Sequence, residues 1–293
     1  MARVNADAWV PDEYGSEVIT RVQQNSAIEA VARRINMNSD IMKVPRTGAI
    51  GVDVVAKGAA YTDAEPTLDN VTLDAVKFGT TVTIAEEDLD DAIVNAVAAF
   101  QAEWAVSYAR KLDNACLGVT NGTVNGGTVP FKSVYASVTS GQKIATAGAV
   151  TYAKLSDTVA LYEGSTYAND ADTVVIAHPS FKASFRGMVD DNHRPIFVEG
   201  LAGTPATLFG IPVNFSFGAK TNSTASDSPS GNPLLVVGNR QHLLLGVRSG
   251  PESLLSYDAG FRTDEPVLKM RARRAFAVGR ADSFGILEVT AGA

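Results

Sequence analysis

The chain has 293 residues, 45% of them hydrophobic, and a formal net charge of −7. This length allows one large domain or two modest ones with a buried core. The acidic balance argues against general binding of duplex DNA, which needs a basic surface. Charges interrupt the apolar positions of the first 25 residues, so no signal peptide is predicted, and no window approaches the ~18 apolar residues of a membrane span.

Residues 1–48 have the pattern of an arm. Ser26 and Glu29 form a capping-box pair that predicts a helix with an apolar stripe of Ile28, Val31, Ala32 and Ile35. Such a helix of about ten residues is unstable alone in water and must lie on a larger body. The alternative is an ordinary N-terminal helical hairpin docked on its own domain.

Residues 49–83 predict a long β-hairpin with a polar tip. Apolar and polar residues alternate from Ile50 to Val54 and again from Val71 to Ile84. The second alternation slips by one residue near Ala75, which predicts a bulge or bend. A lone two-stranded ribbon is marginal in water, so its apolar face needs a partner surface in this chain or in a neighbour.

Residues 86–117 predict one long amphipathic helix of about 45–50 Å. Thr83 with Glu86 offers a capping box, acidic residues fill the first turns, and Gly118 is a plausible end. The apolar face comprises Leu89, Ile93, Val97, Phe100, Trp104, Tyr108, Leu112 and Ala115.

The remainder predicts mixed helix and sheet. A short helix is expected around 181–188, and a solvated loop over 218–233 because it is rich in Ser, Thr, Asn and Gly. Strands are expected at 173–177, 211–217, 234–237, 267–278 and 284–289.

Few residues suggest catalysis. The single Cys116 lies on or near the apolar face of the long helix, where a free cysteine behaves as a small hydrophobe. His178, His193 and His242 lack metal-ligand spacing, and His178 before a proline is typical of a hydrogen-bonded turn. Neither a nucleophile elbow nor a phosphate loop is present.

Six basic residues lie between positions 262 and 280, against two acidic ones. This segment indicates either a nucleic-acid face or a basic strand paired with acidic groups at the start of the long helix or on a neighbouring subunit. The lack of interleaved aromatic residues favours the strand interpretation.

Short motifs in this order resemble the major capsid proteins of tailed phages with the Hong Kong 97-like fold. VTIAEEDLDD enters the long helix and LDNACLGVTNG leaves it. VVIAHPSF, LFGIPVNFS, LLVVGNRQHLLLGVRSG and RARRAFAVGRADSFGILEV follow. Each motif is short, but the ordered set spans nearly the whole chain.

The resemblance implies an α+β fold and a shell subunit that self-assembles as pentamers and hexamers into an icosahedral phage head around double-stranded DNA. It further implies an N-terminal arm, an E-loop hairpin, a P-domain with a long spine helix, an A-domain and closing P-domain strands, at 1–48, 49–82, 83–117, 118–258 and 259–293. The alternatives are an encapsulin-type cellular compartment, which shares the fold, or an unrelated soluble enzyme or binding domain.

The resemblance implies no enzyme activity, cofactor or metal site. The arm begins within ten residues of Met1, so the resemblance implies a separate scaffold protein or none. Portal and decoration proteins are the other partners that it implies. Packaged DNA is contacted non-specifically at most, no membrane is involved, and assembly takes place in the host bacterial cytoplasm. Subunit contacts are expected at Trp9, Lys57, Tyr61, Pro66, Arg271, Arg273 and Arg274.

One family reaction is not expected. The type member joins an E-loop lysine to an asparagine of a neighbouring P-domain through an isopeptide bond. Lys57 lies in the predicted E-loop, but no asparagine follows Asn239, so the closing strands lack the acceptor.

Overall fold

The computed structural model describes residues 25–91, 95–188, 206–260 and 262–290. Its helices are α1 (Ala27–Val31), α2 (Glu86–Asp91), α3 (Ala96–Leu117), α4 (Val134–Ser137), α5 (Tyr152–Glu163) and α6 (Phe181–Arg186). Its strands are β1 (Arg33–Asn36), β2 (Ile41–Thr47), β3 (Leu68–Asp74), β4 (Val76–Thr83), β5 (Lys143–Ala147), β6 (Thr173–Ala177), β7 (Thr207–Leu208), β8 (Ile211–Phe215), β9 (Leu234–Asn239), β10 (Leu243–Ser256), β11 (Val267–Val278) and β12 (Phe284–Thr290).

Two sheets and one hairpin organise the described chain. The first sheet has the order β1-β10-β11-β4, the second has the order β5-β12-β9-β6-β8-β7, and β2 pairs with β3. The chain crosses between the sheets three times, from β4 to β5 through the helices α2, α3 and α4, and through short turns from β9 to β10 and from β11 to β12. The two short turns bring both sheets together beside the hairpin, where Arg46 contacts Gly279 and Arg280 contacts Thr47.

The main core lies where α3 packs over both sheets. It contains Leu112 and Leu117 from the helix, Phe78 and Phe276 from the first sheet, and Phe284 from the second sheet. The opposite face of the second sheet is covered by α5 and α6. Every residue of β6 is buried because both of its faces are covered, which explains its continuous apolar sequence.

The predicted arm helix is only partly present. Ser26 caps α1 as predicted, accepting a hydrogen bond from the Glu29 N–H at 3.1 Å. The helix then ends at Val31, and Ile35 lies on β1, which pairs in parallel with β10. The predicted stripe through Ile35 is therefore wrong, because pairing with the edge of the first sheet replaces the last helical turns.

The hairpin exists, and the alternation from Val71 to Ile84 lies on β3 and β4, but the first predicted strand is wrong. Ile50–Val54 forms no strand; the paired strands are β2 and β3, and they end at Thr47 and Leu68. The predicted break at Ala75 is confirmed, since β3 before it pairs with β2 and β4 after it pairs with β11. The Ala75 N–H donates to the Asp40 carbonyl at this change of sheet.

The predicted long helix is divided. Asn95 caps α3 by accepting from the Ala98 N–H at 3.1 Å, so α3 is a separate helix of 22 residues, about 33 Å long. The Thr83 capping box is wrong, because Thr83 pairs with Val267 and the Glu86 N–H donates to the Asp264 carbonyl. The predicted end at Gly118 is confirmed. Burial is concentrated after Val106, whereas Phe100 is exposed.

The segment 218–233 is not the solvated loop that its composition predicted. Ala219, Thr221 and Ala225 are buried against the end of α3. The Asn114 side chain donates to the Gly218 and Lys220 carbonyls at 3.0 and 2.8 Å and accepts from the Ser226 N–H. A polar residue on the helix thus supplies the hydrogen bonds that let an irregular segment pack inside.

Candidate functional site

A buried carboxylate joins three parts of the subunit near the end of α3. Asp113 accepts hydrogen bonds from the Ser26 hydroxyl, the Ala27 and Ile28 N–H groups at 2.9 and 3.2 Å, and the Ser216 hydroxyl at 2.5 Å. Burial raises the pKa of Asp113, while these donors oppose that rise. The carboxylate also satisfies the first N–H groups of α1, and so fixes α1 to α3 and to the end of β8.

A buried ion pair ties the same helix α1 to the first sheet. Arg274 on β11 contacts Glu29 at 2.7 and 2.8 Å, and the Tyr108 hydroxyl donates to Glu29 at 3.1 Å. Another Arg274 nitrogen donates to the Ser249 carbonyl at 2.5 Å. Arg274 is only 5% exposed, so removing Glu29 would leave a buried positive charge without its carboxylate partner.

The root of the hairpin is fixed to the body by apolar and charged contacts. Leu73 is fully buried in a cluster with Met37, Leu244 and Ala275. Arg46 pairs with Asp69 across the hairpin, and one of its nitrogens donates to the Gly279 carbonyl at 2.7 Å.

Arg280, in the turn after β11, donates to the Thr47 carbonyl. Together these contacts fix the orientation of the hairpin relative to the two sheets.

The tip of the hairpin, residues 48–67, makes almost no contact with the rest of the described chain. Val52 and Val54 are fully exposed, and Tyr61 is 86% exposed. Lys57 and Gly58 lie in a tight turn closed by the Ala59 N–H on the Ala56 carbonyl at 3.0 Å; Gly58 has the positive φ that such a turn requires. An anchored root thus carries an exposed apolar tip.

The basic strand β11 is largely neutralised within the subunit. Arg271 pairs with Glu252 at 3.0 Å and Arg273 pairs with Asp40 at 3.0 Å. Acidic partners are present as the strand interpretation predicted, but they lie on β10 and beside β2 rather than at the start of the long helix.

A groove of about 540 Å³ runs between α3 and β4. Its aromatic lining includes Trp104 stacked on Tyr108, with ring centroids 5.2 Å apart, and the exposed Phe100. Lys77 and Lys111 lie at the same groove. The groove is therefore an apolar surface with charged side chains among its lining residues.

Among the groups that suggested chemistry, Cys116 and His178 lie in structural positions, whereas His193 lies outside the described residues. Burial raises the pKa of the Cys116 thiol well above its usual range, which opposes the thiolate form. His178 is the predicted turn residue: its Nδ1 accepts from the Ser180 N–H at 3.2 Å and lies 2.8 Å from the Ser180 hydroxyl. Across the four described ranges, no three metal-ligating side chains come together.

Residues 7–289 match the model of the phage capsid family. The chain belongs to that family. The match covers the hairpin, both sheets and the buried junction described above. This capsid protein is therefore a structural subunit of a phage head shell, and the encapsulin alternative is not favoured.

Solved structures share the capsid protein's fold at low sequence identity. A chain of Mycobacterium phage Bobi is 17% identical with a TM-score of 0.76, covering 98% of this chain and 97% of that chain. A chain of Mycobacterium phage Adephagia is 18% identical with a TM-score of 0.74, covering 100% and 99%.

A capsid of an empty GTA particle gives 16% identity and a TM-score of 0.69, covering 97% of each chain. A sequence comparison with curated proteins finds no match.

The predicted contact residues fall into three groups. Trp9 lies outside the described residues. Lys57 and Tyr61 are exposed on the hairpin tip, and Pro66 is half-buried beside its root. Arg271 and Arg273 are half-buried, whereas Arg274 lies inside the subunit. Contact of these residues with neighbours stays a prediction, and for Arg274 its burial argues against it.

Sequence reasoning missed the polar residues at the junction. Asp113 follows a helical apolar position, and nothing nearby in sequence shows that Ser26 and Ser216 meet it. Arg46 and Asp69 sit opposite each other on β2 and β3, a cross-strand signal that the misplaced first strand concealed. No helix in the described ranges has the length and apolar character needed to cross a membrane.

Proposed function

We propose that this capsid protein assembles as pentamers and hexamers into an icosahedral head around double-stranded DNA, with a Hong Kong 97-like fold. In this proposal residues 1–48 are the arm, 49–82 the E-loop, 83–117 the spine segment, 118–258 the A-domain and 259–293 the closing strands. Each sheet combines strands from the A-domain segment and the closing segment. β10 pairs with β11 in the first sheet, and β9 pairs with β12 in the second.

The observation that carries the proposal is the hairpin tip. Val52, Val54 and Tyr61 expose apolar surface on a segment that has no core of its own. A ribbon of this kind gains stability only against another surface, and its anchored root holds it away from its own body. In an assembly of identical subunits that surface belongs to a second copy.

The remaining partners follow from the same proposal. Lys57, Tyr61 and Pro66 on the hairpin, Trp9 in the arm, and Arg271 and Arg273 on β11 contact neighbouring copies, while Arg274 stabilises the subunit. Separate scaffold, portal and decoration proteins act with the shell, and DNA is contacted non-specifically. The chain carries out no enzymatic reaction, and assembly takes place in the host cytoplasm.

The test shortens the hairpin without altering its root. The Gly48 N–H donates to the Thr67 carbonyl at 2.7 Å, so replacing residues 49–66 by Asn-Gly closes a two-residue turn there. We expect a folded subunit with the wild-type unfolding temperature, because the tip makes few contacts within the chain. Electron microscopy and sedimentation should show free subunits or capsomers in place of closed shells.

A matched variant keeps the length of the tip and removes its apolar groups, by Val52→Ser, Val54→Ser and Tyr61→Ser together. It should also fold normally and assemble poorly, which separates apolar contact from mere length. Normal closed shells from the Asn-Gly variant would show that the hairpin is not the assembly element.

A further inference from the structure

A small basic pocket lies where the hairpin root meets the turns that join the two sheets. Its volume is about 180 Å³, and its lining includes Arg33 from β1, Arg46 from β2, His242 after β9 and Arg280 after β11. Four separate segments therefore bring cationic or titratable side chains to one place in a chain whose net charge is −7.

The positive charge of this pocket is only partly neutralised within the subunit. Asp69 pairs with Arg46, but in the part of the chain that the structure describes neither Arg33 nor Arg280 forms an ion pair. Arg280 donates to the Thr47 carbonyl and lies over the Tyr167 ring at 5.2 Å. Burial lowers the pKa of His242, and Arg280 and Arg33 lower it further.

The size of the pocket restricts what it can bind. A volume of about 180 Å³ admits a side chain or a small anion, whereas DNA binding needs a basic surface that follows several phosphates. The hairpin tip of the same chain supplies the complementary charge, since Asp53, Asp63 and Glu65 outnumber Lys57. These three carboxylates are exposed and form no ion pair among the described residues.

In the described chain the tip carboxylates form no ion pair with the pocket of their own subunit. Asp63 and Glu65 lie four and two residues before Thr67 and so reach at most about 13 and 7 Å beyond the root, which requires a second copy whose pocket lies close to that root.

We propose that tip carboxylates of one copy, Asp63 and Glu65 foremost, bind in the basic pocket at the hairpin root of the next copy. The inference rests on the proposed shell assembly and names the receptor for the charged part of the tip. Because tip and pocket are different surfaces of the same chain, the contact is head-to-tail and can close into a ring. Opposite charges also orient the copies as they meet.

Arg33→Glu is the most selective test. The Arg33 side chain is exposed and makes no hydrogen bond or ion pair in the described chain, so reversing its charge should leave the fold and the unfolding temperature unchanged. We expect the protein concentration needed for particle formation to rise about tenfold or more, because like charges now meet. Lys43→Glu, the same charge change at an exposed β2 position outside the pocket, should assemble as wild type.

Substitutions that restore assembly of the Arg33→Glu variant identify the binding partner of the pocket. Arg33→Glu combined with Asp63→Lys and Glu65→Lys restores opposite charges between copies and should return assembly toward the wild-type concentration. Rescue by Glu86→Lys and Glu87→Lys instead would overturn the assignment to the tip. Normal assembly of Arg33→Glu would overturn the inference and leave the proposed function intact, whereas failure of the wild type to form particles would overturn both.

Inorganic phosphate separates a small-anion site from a subunit contact. If phosphate raises the unfolding temperature of the wild type but not of Arg33→Glu, and Arg33→Glu assembles normally, the pocket holds a free anion and the proposed contact is wrong.

Discussion

At the scale of single residues, His178, which follows β6, makes the stability of the subunit depend on pH. Its Nδ1 accepts from the Ser180 N–H and lies 2.8 Å from the Ser180 hydroxyl, so a proton on that nitrogen would remove the hydrogen bond from the Ser180 N–H. Burial, with a smaller effect of Lys220, lowers the pKa of His178 from 6.5 to about 4. Between these values the unfolded chain binds more protons than the folded chain. The free energy of unfolding therefore rises from pH 4 to pH 6.5.

His178→Gln should lose this contribution. Urea unfolding at a series of pH values is expected to show the difference between wild type and variant growing toward pH 6.5 and staying constant above pH 7. Parallel pH profiles for the two proteins would mean that the imidazole is equally protonated in the folded and unfolded chains.

A second residue-scale prediction concerns Lys57, in the turn at the hairpin tip. It is exposed, and no asparagine occurs in β10, β11 or β12 to serve as an acceptor on the closing strands. Particles boiled in detergent should therefore run as a single band near 30.8 kDa. A ladder of multimers that disappears in Lys57→Ala would reveal a covalent bond between subunits.

At the scale of elements, patterns within one segment predicted the fold where burial follows from local periodicity. The first and last residues of β6 and β11 are the predicted ones. The apolar residues of each strand pack against a core along its whole length, so burial follows the sequence pattern. The break at Ala75 was also predictable, since a one-residue slip reverses the buried face. The end of α3 at Gly118 was predicted from the general preference for glycine at helix ends. Gly118 itself has a φ of −114°, and a side chain there would collide with the Lys220 carbonyl.

Other elements depend on partners distant in sequence. The alternation over Ile50–Val54 has the period of a strand, yet among the described residues no segment pairs with it. Asn95 interrupts the predicted helix because its side chain accepts a hydrogen bond from a backbone N–H. This bond favours the start of a new helix at that position over continuation of the preceding one. The long strand β10 was not predicted; it contains Gly246, Gly250 and Pro251, and its pairing with β11 outweighs these local signals.

The candidate site was predicted in outline and not in detail. An exposed hairpin needing a partner surface follows from its sequence, because a two-stranded ribbon lacks a core. The anchoring residues Arg46 and Arg280 could not be inferred, since they meet only after the hairpin and the turn following β11 are brought together. Tertiary contacts of this kind leave no periodic signal in the chain.

At the scale of the whole molecule, the subunit combines a firmly tied body with a projecting tip. Asp113 and the Glu29–Arg274 pair hold α1, α3 and the two sheets together. The hairpin root continues this rigid body, while the exposed apolar surfaces of the described residues include the tip and the groove between α3 and β4. Contacts between copies in the shell would cover such surfaces.

The most direct test of this account is a cryo-electron microscopy reconstruction of particles formed by the purified protein. We predict closed shells of pentamers and hexamers in which residues 49–66 of each copy lie against a neighbouring copy, with Val52, Val54 and Tyr61 buried in that contact. A preparation that stays as free subunits, or shells in which the hairpin tip extends into solvent, would contradict it.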